Sequence, residues 1–121
     1  MKAKWPSIEA EVRRTYPPEL FREFKETVDC SRILYASDGL KIVGFILKPR
    51  APASVGYPVV INNHGGNSQI ASLDDTSLLR LTWLVHAGYM VIASQYRGCG
   101  GSEGDDEIGG ADVNDVLKSI S

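Results

Sequence analysis

The sequence predicts an α/β fold in which a β-hairpin and a parallel βαβ unit follow two short helices. Two patterns of apolar residues support this prediction. Over residues 30–48 the apolar residues recur with a period of two on both sides of Asp38-Gly39, a dipeptide that strongly favours a hairpin turn. Over residues 58–94 two short apolar runs flank an amphipathic segment, which is the pattern of a strand, a helix and a second strand.

Length and composition limit the classes of protein to consider. A chain of 121 residues forms one domain or part of one. Its apolar content of 43% is enough for a folded core, and its net charge of -2 gives no reason to expect nucleic acid or an anionic membrane as a partner. No apolar run reaches the roughly 20 residues that cross a bilayer, and the amino terminus lacks the apolar segment of a secretory signal. We therefore expect a cytoplasmic protein.

The amino-terminal region is predicted to be helical. Ser7 is a candidate cap for a first short helix that ends at Tyr16-Pro17-Pro18. A second helix is expected from Pro18, because apolar residues recur at intervals of three and four and form one stripe, made of Leu20, Phe21, Phe24 and Val28. We expect residues 1–29 to form a helical brace and residues 30–121 to form an incomplete α/β domain.

The remaining elements follow from periodicity and from the residues that end each segment. Strands are expected at about 31–37 and 40–48, and again at 58–63 and 89–94. A helix from about Leu73 to Ala87 connects the last two strands, so those strands should be parallel with a right-handed crossover. A final helix is expected from about Ala111, with an apolar stripe of Val113, Val116, Leu117 and Ile120.

A glycine-containing turn follows the strand predicted at 58–63. The sequence His64-Gly65-Gly66-Asn67 tolerates positive φ and leaves backbone N–H groups exposed at the carboxyl end of a strand. In open α/β sheets ligands bind at that end, so the turn is a candidate anion or oxyanion pocket. The residues alone fit a plain glycine-rich turn between a strand and a helix equally well.

A second glycine-rich loop follows the strand predicted at 89–94 and should lie at the same edge of the sheet. Its first residues, Tyr96 and Arg97, are therefore candidates for the rim of the pocket or for its framework. The Arg97 guanidinium has the geometry to hold a substrate carboxylate with two hydrogen bonds. We favour the alternative in which Arg97 pairs with Asp112 or Asp115, because a buried arginine is usually paired.

The pattern G-x-S-x-G occurs once, at residues 100–104, with Ser102 at its centre. A nucleophile elbow needs an apolar strand directly before it and an apolar helix directly after it. Here polar and glycine residues precede the pattern and three acidic residues follow it. The two histidines are His64, in the turn, and His86, inside a predicted helix, so no base is evident for Ser102. We interpret this segment as a loop at the rim of the site.

The two cysteines give no sign of a metal site. Cys30 and Cys99 share no metal-ligand spacing with each other or with the histidines, so reduced thiols are the expected state. The sequence therefore predicts neither a metal nor another cofactor.

The order and spacing of the motifs resemble the prolyl-oligopeptidase-like serine peptidases and esterases of the α/β-hydrolase fold. The matching motifs are Ser37-Asp38-Gly39 with Ile42 and Gly44 before Lys48-Pro49, His64-Gly65-Gly66 after an apolar strand, Gly88-Tyr89 before the next strand, Tyr96-Arg97-Gly98, and Gly110-Ala111-Asp112-Val113-Asn114-Asp115 at the start of a helix. Each motif alone is weak, whereas their order is specific and covers most of the chain after residue 30.

The resemblance implies a serine hydrolase that cleaves peptides or esters through an acyl-enzyme. By this resemblance Gly65, Gly66 and Asn67 would form the oxyanion turn, with donors from the N–H groups of Gly66 or Asn67. We interpret the His64 side chain as structural, with a hydrogen-bonded role in orienting the turn. The nucleophile, acid and base would follow Ser121, so we expect an amino-terminal fragment without its triad. The alternative is a truncated or split hydrolase-like module that acts in binding or assembly.

The resemblance also implies the order of the strands. Numbered along the chain, they should lie in the order one, two, four, three, which leaves the strand at 58–63 on the edge of the sheet. An apolar strand edge with unpaired backbone groups invites pairing with another chain. We therefore expect self-association through this edge, and a peptide or ester as the substrate of a completed chain.

Overall fold

The computed structural model describes residues 18–65 and 72–121. Its elements, in chain order, are α1 (Pro18–Thr27), β1 (Val28–Ser37), β2 (Leu40–Pro49), β3 (Val59–Asn62), α2 (Asp75–His86), β4 (Met90–Ser94) and α3 (Asp112–Lys118). The four strands form one mixed sheet in the order β1-β2-β4-β3. The predicted α/β fold class and strand order are confirmed. The helix predicted from Ser7 lies outside the described residues.

The hairpin forms because Asp38 and Gly39 adopt the backbone conformation that a tight turn requires. Their φ angles are 51° and 78°, both in the left-handed region that a two-residue turn of type I′ demands. The two strands then pair antiparallel in register from Ser37 opposite Leu40 to Val28 opposite Pro49. The hairpin is longer than predicted at its open end, where β1 begins at Val28.

The parallel unit places the carboxyl ends of β3 and β4 at the same edge of the sheet. The two strands pair in parallel from Val59 opposite Met90 to Asn62 opposite Ala93. Helix α2 makes the crossover between them. It begins after Asp74, whose carboxylate accepts from the backbone N–H of Ser77 at 2.8 Å and so caps the helix.

The core lies between α2 and the sheet. Apolar side chains of α2 pack against those of the two central strands, and the buried cluster includes Val43, Phe45, Leu47, Leu78, Leu81, Val85 and Val91. Strands β2 and β4 are central and β1 and β3 flank them, so the loop after β4 leaves a strand that is paired on both sides.

Helix α1 contacts the end of α2 through the side chain of His86. The rings of Phe24 and His86 are stacked with their centroids 5.3 Å apart, and Thr27 Oγ1 lies 2.9 Å from His86 Nε2. The prediction that Val28 continues the helical stripe was wrong, because Val28 is the first residue of β1 and is buried there. The division of the chain at residue 30 stays a prediction.

The expectation for the apolar stripe of α3 also needs correction. Val113, Leu117 and Ile120 are about half exposed, at 50%, 58% and 53%. The buried residues of this helix are instead Asp112 and Asp115. The physical reason is a buried arginine in the loop after β4, which turns the acidic face of α3 towards the sheet. None of the helices within the described residues is long and apolar enough to span a bilayer.

Candidate functional site

The two loops that leave β3 and β4 touch each other through the aromatic rings of His64 and Tyr96. The two ring centroids are 4.1 Å apart and the ring planes differ by 19°, so the rings are stacked. The Tyr96 hydroxyl also donates to the carbonyl oxygen of His64 at 3.2 Å. The residues predicted at the rim are therefore brought together at one edge of the sheet.

The imidazole of His64 lies between two backbone carbonyl oxygens. Its Nε2 lies 3.0 Å from Gln95 O, and its Nδ1 lies 3.2 Å from Gly65 O. A carbonyl oxygen can only accept, and a neutral imidazole has one N–H, so the shorter contact favours the tautomer with the proton on Nε2. This arrangement orients the ring against β4.

Tyr96 reaches His64 because its own backbone turns sharply. Its φ is 66°, a conformation that residues other than glycine adopt rarely, and its N–H donates to Ser94 Oγ at 3.1 Å. This turn at the end of β4 directs the aromatic ring back over the neighbouring loop. Burial raises the pKa of the Tyr96 hydroxyl, which therefore stays protonated as a donor through the neutral range.

Arg97 forms an ion pair with Asp115 of α3. Its Nη2 and Nε donate to the two carboxylate oxygens at 2.9 and 3.1 Å, and its backbone N–H donates at 2.8 Å. The side chains of Arg97 and Asp115 are 7% and 0% exposed. The hydrogen bonds to Asp115, and then to Asp38, raise the pKa of Arg97. The structure therefore has the predicted ion pair of Arg97 with Asp115, and the guanidinium is not free to bind a substrate carboxylate.

The same guanidinium ties the hairpin turn to α3. Arg97 Nη2 donates to Asp38 Oδ2 at 2.7 Å, and the amide of Asn114 donates to the same oxygen at 2.9 Å. The hydrogen bond from Asn114 and that from Arg97 lower the pKa of Asp38. Three segments that are distant in sequence, the hairpin turn, the loop after β4 and α3, are thus joined in one polar network.

Gln95 is a residue of this edge that the sequence analysis did not single out. Its side chain is 2% exposed and forms two hydrogen bonds with the backbone of Leu73. Leu73 N–H donates to Oε1, and Nε2 donates to Leu73 O, each at 2.7 Å. An amide directly after an apolar strand was the signal that could have identified it, since a buried amide needs partners for both of its polar atoms.

Ser102 is placed as a structural residue. Its Oγ accepts from the backbone N–H of Val43 at 2.9 Å, and its own N–H donates to Cys99 O at 2.9 Å. Helix α3 begins ten positions later, at Asp112, so the strand, turn and helix of a nucleophile elbow are not present around this serine. The Cys99 thiol is fully buried, with Sγ 3.6 Å from Asp106 Oδ2.

A groove of about 340 Å³ lies beside the His64 and Tyr96 rings. Its other wall is formed by α3 and the residues before it, and the lining comprises Asn63, His64, Tyr96, Ile108, Gly109, Asp112, Val113, Val116 and Leu117. Gly65 is exposed beside it, whereas Gly66 and Asn67 lie outside the described residues. Within residues 18–65 and 72–121 no group of three or more His, Cys, Asp or Glu side chains is arranged to hold a metal ion.

Comparison with known proteins identifies the fold through solved structures. Neither a family model nor a curated protein sequence matches the chain. An acylaminoacyl peptidase of Pyrococcus horikoshii matches with 22% identity and a TM-score of 0.58, over 88% of this chain and 18% of the peptidase. An esterase of Pyrococcus furiosus matches with 18% identity and a TM-score of 0.59, over 88% of this chain and 37% of the esterase.

A third similar structure extends over more of the chain. Brefeldin A esterase, a bacterial homologue of human hormone-sensitive lipase, matches with 20% identity and a TM-score of 0.60, over 95% of this chain and 34% of the esterase. The chain therefore spans well under half the length of each of these three proteins. Identities in this range show a shared fold, and that fold is the part of an α/β-hydrolase sheet that the motifs predicted.

Proposed function

We propose that this chain is the amino-terminal part of a serine hydrolase, a peptidase or esterase that works through an acyl-enzyme. In this proposal the chain supplies the oxyanion turn of Gly65, Gly66 and Asn67, and a further segment supplies the nucleophile, the acid and the base. The observation that carries the proposal is the stacked pair of His64 and Tyr96, because it joins the loops after two parallel strands at the edge where α/β enzymes bind ligands.

The open side of β3 is the place for the nucleophile strand. Among the described residues β3 pairs only with β4, and Val59 is 50% exposed. A parallel strand added there would end at the same edge as β3, next to the groove lined by His64 and Tyr96. A serine at the end of that strand would then face the turn that follows β3.

The chemistry that this part of the chain contributes is stabilisation of negative charge. When a serine oxygen attacks the substrate carbonyl, the carbonyl oxygen becomes an oxyanion, and backbone N–H groups aimed at it lower the barrier. Loss of one such donor typically costs about 3 kcal/mol of transition-state stabilisation. The leaving amine or alcohol then departs, and water hydrolyses the acyl-enzyme in the second half of the reaction.

The first test reads the encoding frame past codon 121 and expresses the longer chain. We expect an apolar strand followed by G-x-S-x-G, and labelling of that serine by a fluorophosphonate probe. If neither the pattern nor any labelled serine is found, the proposal is wrong.

The second test concerns the donors. In the longer chain, replacing the donor residue by proline removes its N–H and should lower kcat by about 100- to 1,000-fold. Gly66→Pro and Asn67→Pro are therefore compared with Gly66→Ala and Asn67→Ala, which keep the N–H groups. Equal activity in each proline and alanine pair would exclude these two residues as donors.

A second candidate function is a non-catalytic module that acts in binding or assembly. Among the described residues one edge of β3 has no partner strand, and this favours the alternative, because the open edge of an apolar strand is a site where another chain can pair. Fluorophosphonate labelling of a serine in the 121-residue chain itself would refute this alternative. The substrate, a peptide or an ester, and the cytoplasmic location stay predictions.

A further inference from the structure

Helix α3 buries two aspartates, of which only Asp115 has a cationic partner among residues 18–65 and 72–121. Asp115 is fully buried and pairs with the guanidinium of Arg97. Asp112 lies on the same helix and is 7% exposed, and no lysine, arginine or histidine of the described residues forms an ion pair with it. A buried carboxylate is costly unless an opposite charge or several hydrogen bonds compensate it. Asp112 is therefore a buried acidic group that a cationic ligand would stabilise.

The Asp112 carboxylate has acceptor capacity to spare. The backbone N–H of Gly109 is shared between its two oxygens, at 3.1 Å from Oδ1 and 3.2 Å from Oδ2. A carboxylate offers about four lone-pair sites, so one shared N–H satisfies only part of them. This contact fixes the loop before α3 and leaves the carboxylate able to accept from a ligand.

Asp112 lines the groove beside the Tyr96 ring. Burial raises the pKa of the Tyr96 hydroxyl and the negative charge of Asp112 raises it further, so the carboxylate is close enough to act on this ring. The groove is otherwise mainly apolar on this side. Val113, Leu117 and Ile108 line it and are 50%, 58% and 72% exposed. One buried charge thus lies in an apolar wall.

The chain around the groove favours a cation, and an organic one. Residues 98–117 include six acidic residues and no lysine or arginine, so the local field attracts positive charge. A metal ion would need several oxygen, nitrogen or sulfur ligands. The described residues hold no group of three or more His, Cys, Asp or Glu side chains that could supply them. The apolar wall instead suits the carbon chain of an organic cation.

We propose that this groove binds the primary ammonium group of a small organic ligand, with the Asp112 carboxylate as its counter-ion and Ile108, Val113 and Leu117 around its carbon chain. An ammonium group has three N–H donors, which a carboxylate with free lone pairs can accept. The groove volume of about 340 Å³ suits a small ligand. For its catalytic meaning this inference rests on the proposed function, in which the substrate would be a peptide or ester with a free amino group.

The test is an NMR titration of the 121-residue chain with three probes of similar size. n-Butylammonium carries the cation, 1-butanol replaces it with a neutral hydroxyl, and butyrate carries an anion. We expect butylammonium to shift the amide resonances of Tyr96, Gly109 and Asp112 in a saturable way. Its Kd should be at least about tenfold lower than that of butanol, because a hydrogen bond to a charged group is added to the apolar contact. Equal Kd values for butylammonium and butanol would overturn the inference.

A pair of variants separates a site from general attraction between charges. Asp112→Asn removes the charge, and its amide oxygen can still accept from the Gly109 N–H, so the Kd of butylammonium should rise to that of butanol. Glu107→Gln is the matched control. Glu107 is an acidic residue of the same loop that accepts from a backbone N–H, that of Ala111, but it does not line the groove. Equal weakening of binding in the two variants would overturn the inference.

The longer chain decides where the ammonium group comes from. If the longer chain is an active hydrolase, we compare leucine p-nitrophenyl ester with its N-acetyl form, which has no ammonium group. The ratio of their kcat/KM values should fall by about tenfold in Asp112→Asn, mainly through KM. An unchanged ratio would overturn the substrate assignment and leave the hydrolase function intact.

A lysine of a further segment is the other source of an ammonium group. It would be shown if the longer chain failed to bind butylammonium while the 121-residue chain bound it, and the substrate assignment would then be wrong. The titration of the 121-residue chain needs no activity, so its result stands even if the proposed hydrolase function fails.

Discussion

Replacing Asp115 with alanine removes the carboxylate that holds the buried guanidinium of Arg97. Asp115 is fully buried and accepts three hydrogen bonds from Arg97, at 2.8, 2.9 and 3.1 Å. The variant leaves those donors without their acceptor. Among the described residues, the carboxylate of Asp38 is then the remaining ion-pair partner of a guanidinium whose side chain is 7% exposed.

The expected loss follows from the burial of the pair. Breaking a buried ion pair by removing one partner costs about 3–5 kcal/mol, since the remaining charge is desolvated and uncompensated. Asp38 still compensates part of the charge, so we expect the lower end, about 3 kcal/mol. Domains of this size are stable by only about 5–15 kcal/mol, so the variant should lose a large fraction of the total free energy of unfolding.

Urea unfolding followed by circular dichroism measures this loss. With a slope of about 1–3 kcal/mol per molar urea, a loss of about 3 kcal/mol lowers the midpoint by about 1–3 M. Asp38→Ala is the matched control, because it removes the other carboxylate from the same guanidinium. The Asp38 side chain is 43% exposed, so its removal should lower the midpoint much less.

A double variant tests the reasoning from the opposite side. Adding Arg97→Met to Asp115→Ala removes the cation that has lost its buried partner, so the double variant should be more stable than Asp115→Ala alone. The account of the ion pair would be refuted if Asp115→Ala lost no more stability than Asp38→Ala, or if Arg97→Met made the single variant still less stable.

Three further predictions concern pH, Ser102 and the edge of the sheet. The hydrogen bond from Asn114 and the neighbouring guanidinium lower the folded-state pKa of Asp38, so its stabilising effect is present above the unfolded pKa of about 3.9 and is lost as the pH falls through the folded pKa. Asp38→Asn should therefore reduce the decline of the urea midpoint below about pH 4, and an identical decline in both chains would contradict this. Ser102→Ala should lower the free energy of unfolding by about 1–3 kcal/mol, because it removes the acceptor of a buried backbone N–H. If a fluorophosphonate probe labelled the parent chain and the labelling were lost in Ser102→Ala, Ser102 would be a nucleophile instead. Sedimentation should show association that depends on concentration and that Val59→Lys reduces. Val55→Lys is the control and should leave the association unchanged, because Val55 lies in a loop and is 95% exposed. A monomer at all concentrations would exclude association through β3.

The hairpin and the parallel strands could be predicted from the sequence, because each depends on residues that are adjacent in the chain. The dipeptide Asp38-Gly39 specifies the hairpin because both residues tolerate the left-handed backbone that its turn needs. The apolar runs before and after α2 specify two parallel strands, because a strand, a helix and a second strand can pack together in few ways. The shared edge of the two glycine-rich loops also follows from these local patterns, whereas the order of the strands was implied by the resemblance to the α/β-hydrolase fold.

The partners of the polar side chains depended on the tertiary structure. The sequence left Asp112 and Asp115 as alternatives for Arg97, and the structure has the pair with Asp115 together with a second carboxylate, Asp38, from the hairpin turn. The apolar residues of α3 predicted the wrong buried face. A hydrophobic pattern describes one helix by itself, and it does not show that a buried arginine on another segment needs a carboxylate of that helix as its partner.

The hydrogen bonds of Gln95 show most clearly what only the tertiary structure determines. Nothing in its immediate sequence relates it to Leu73, which lies 22 positions earlier and is brought to it by the packing of α2 against the sheet. Local sequence determined where the chain turns, because turns and strands depend on the backbone preferences of a few adjacent residues. Only the folded chain decided which buried polar groups meet, because each must find a partner among residues that the fold, and not the sequence order, places beside it.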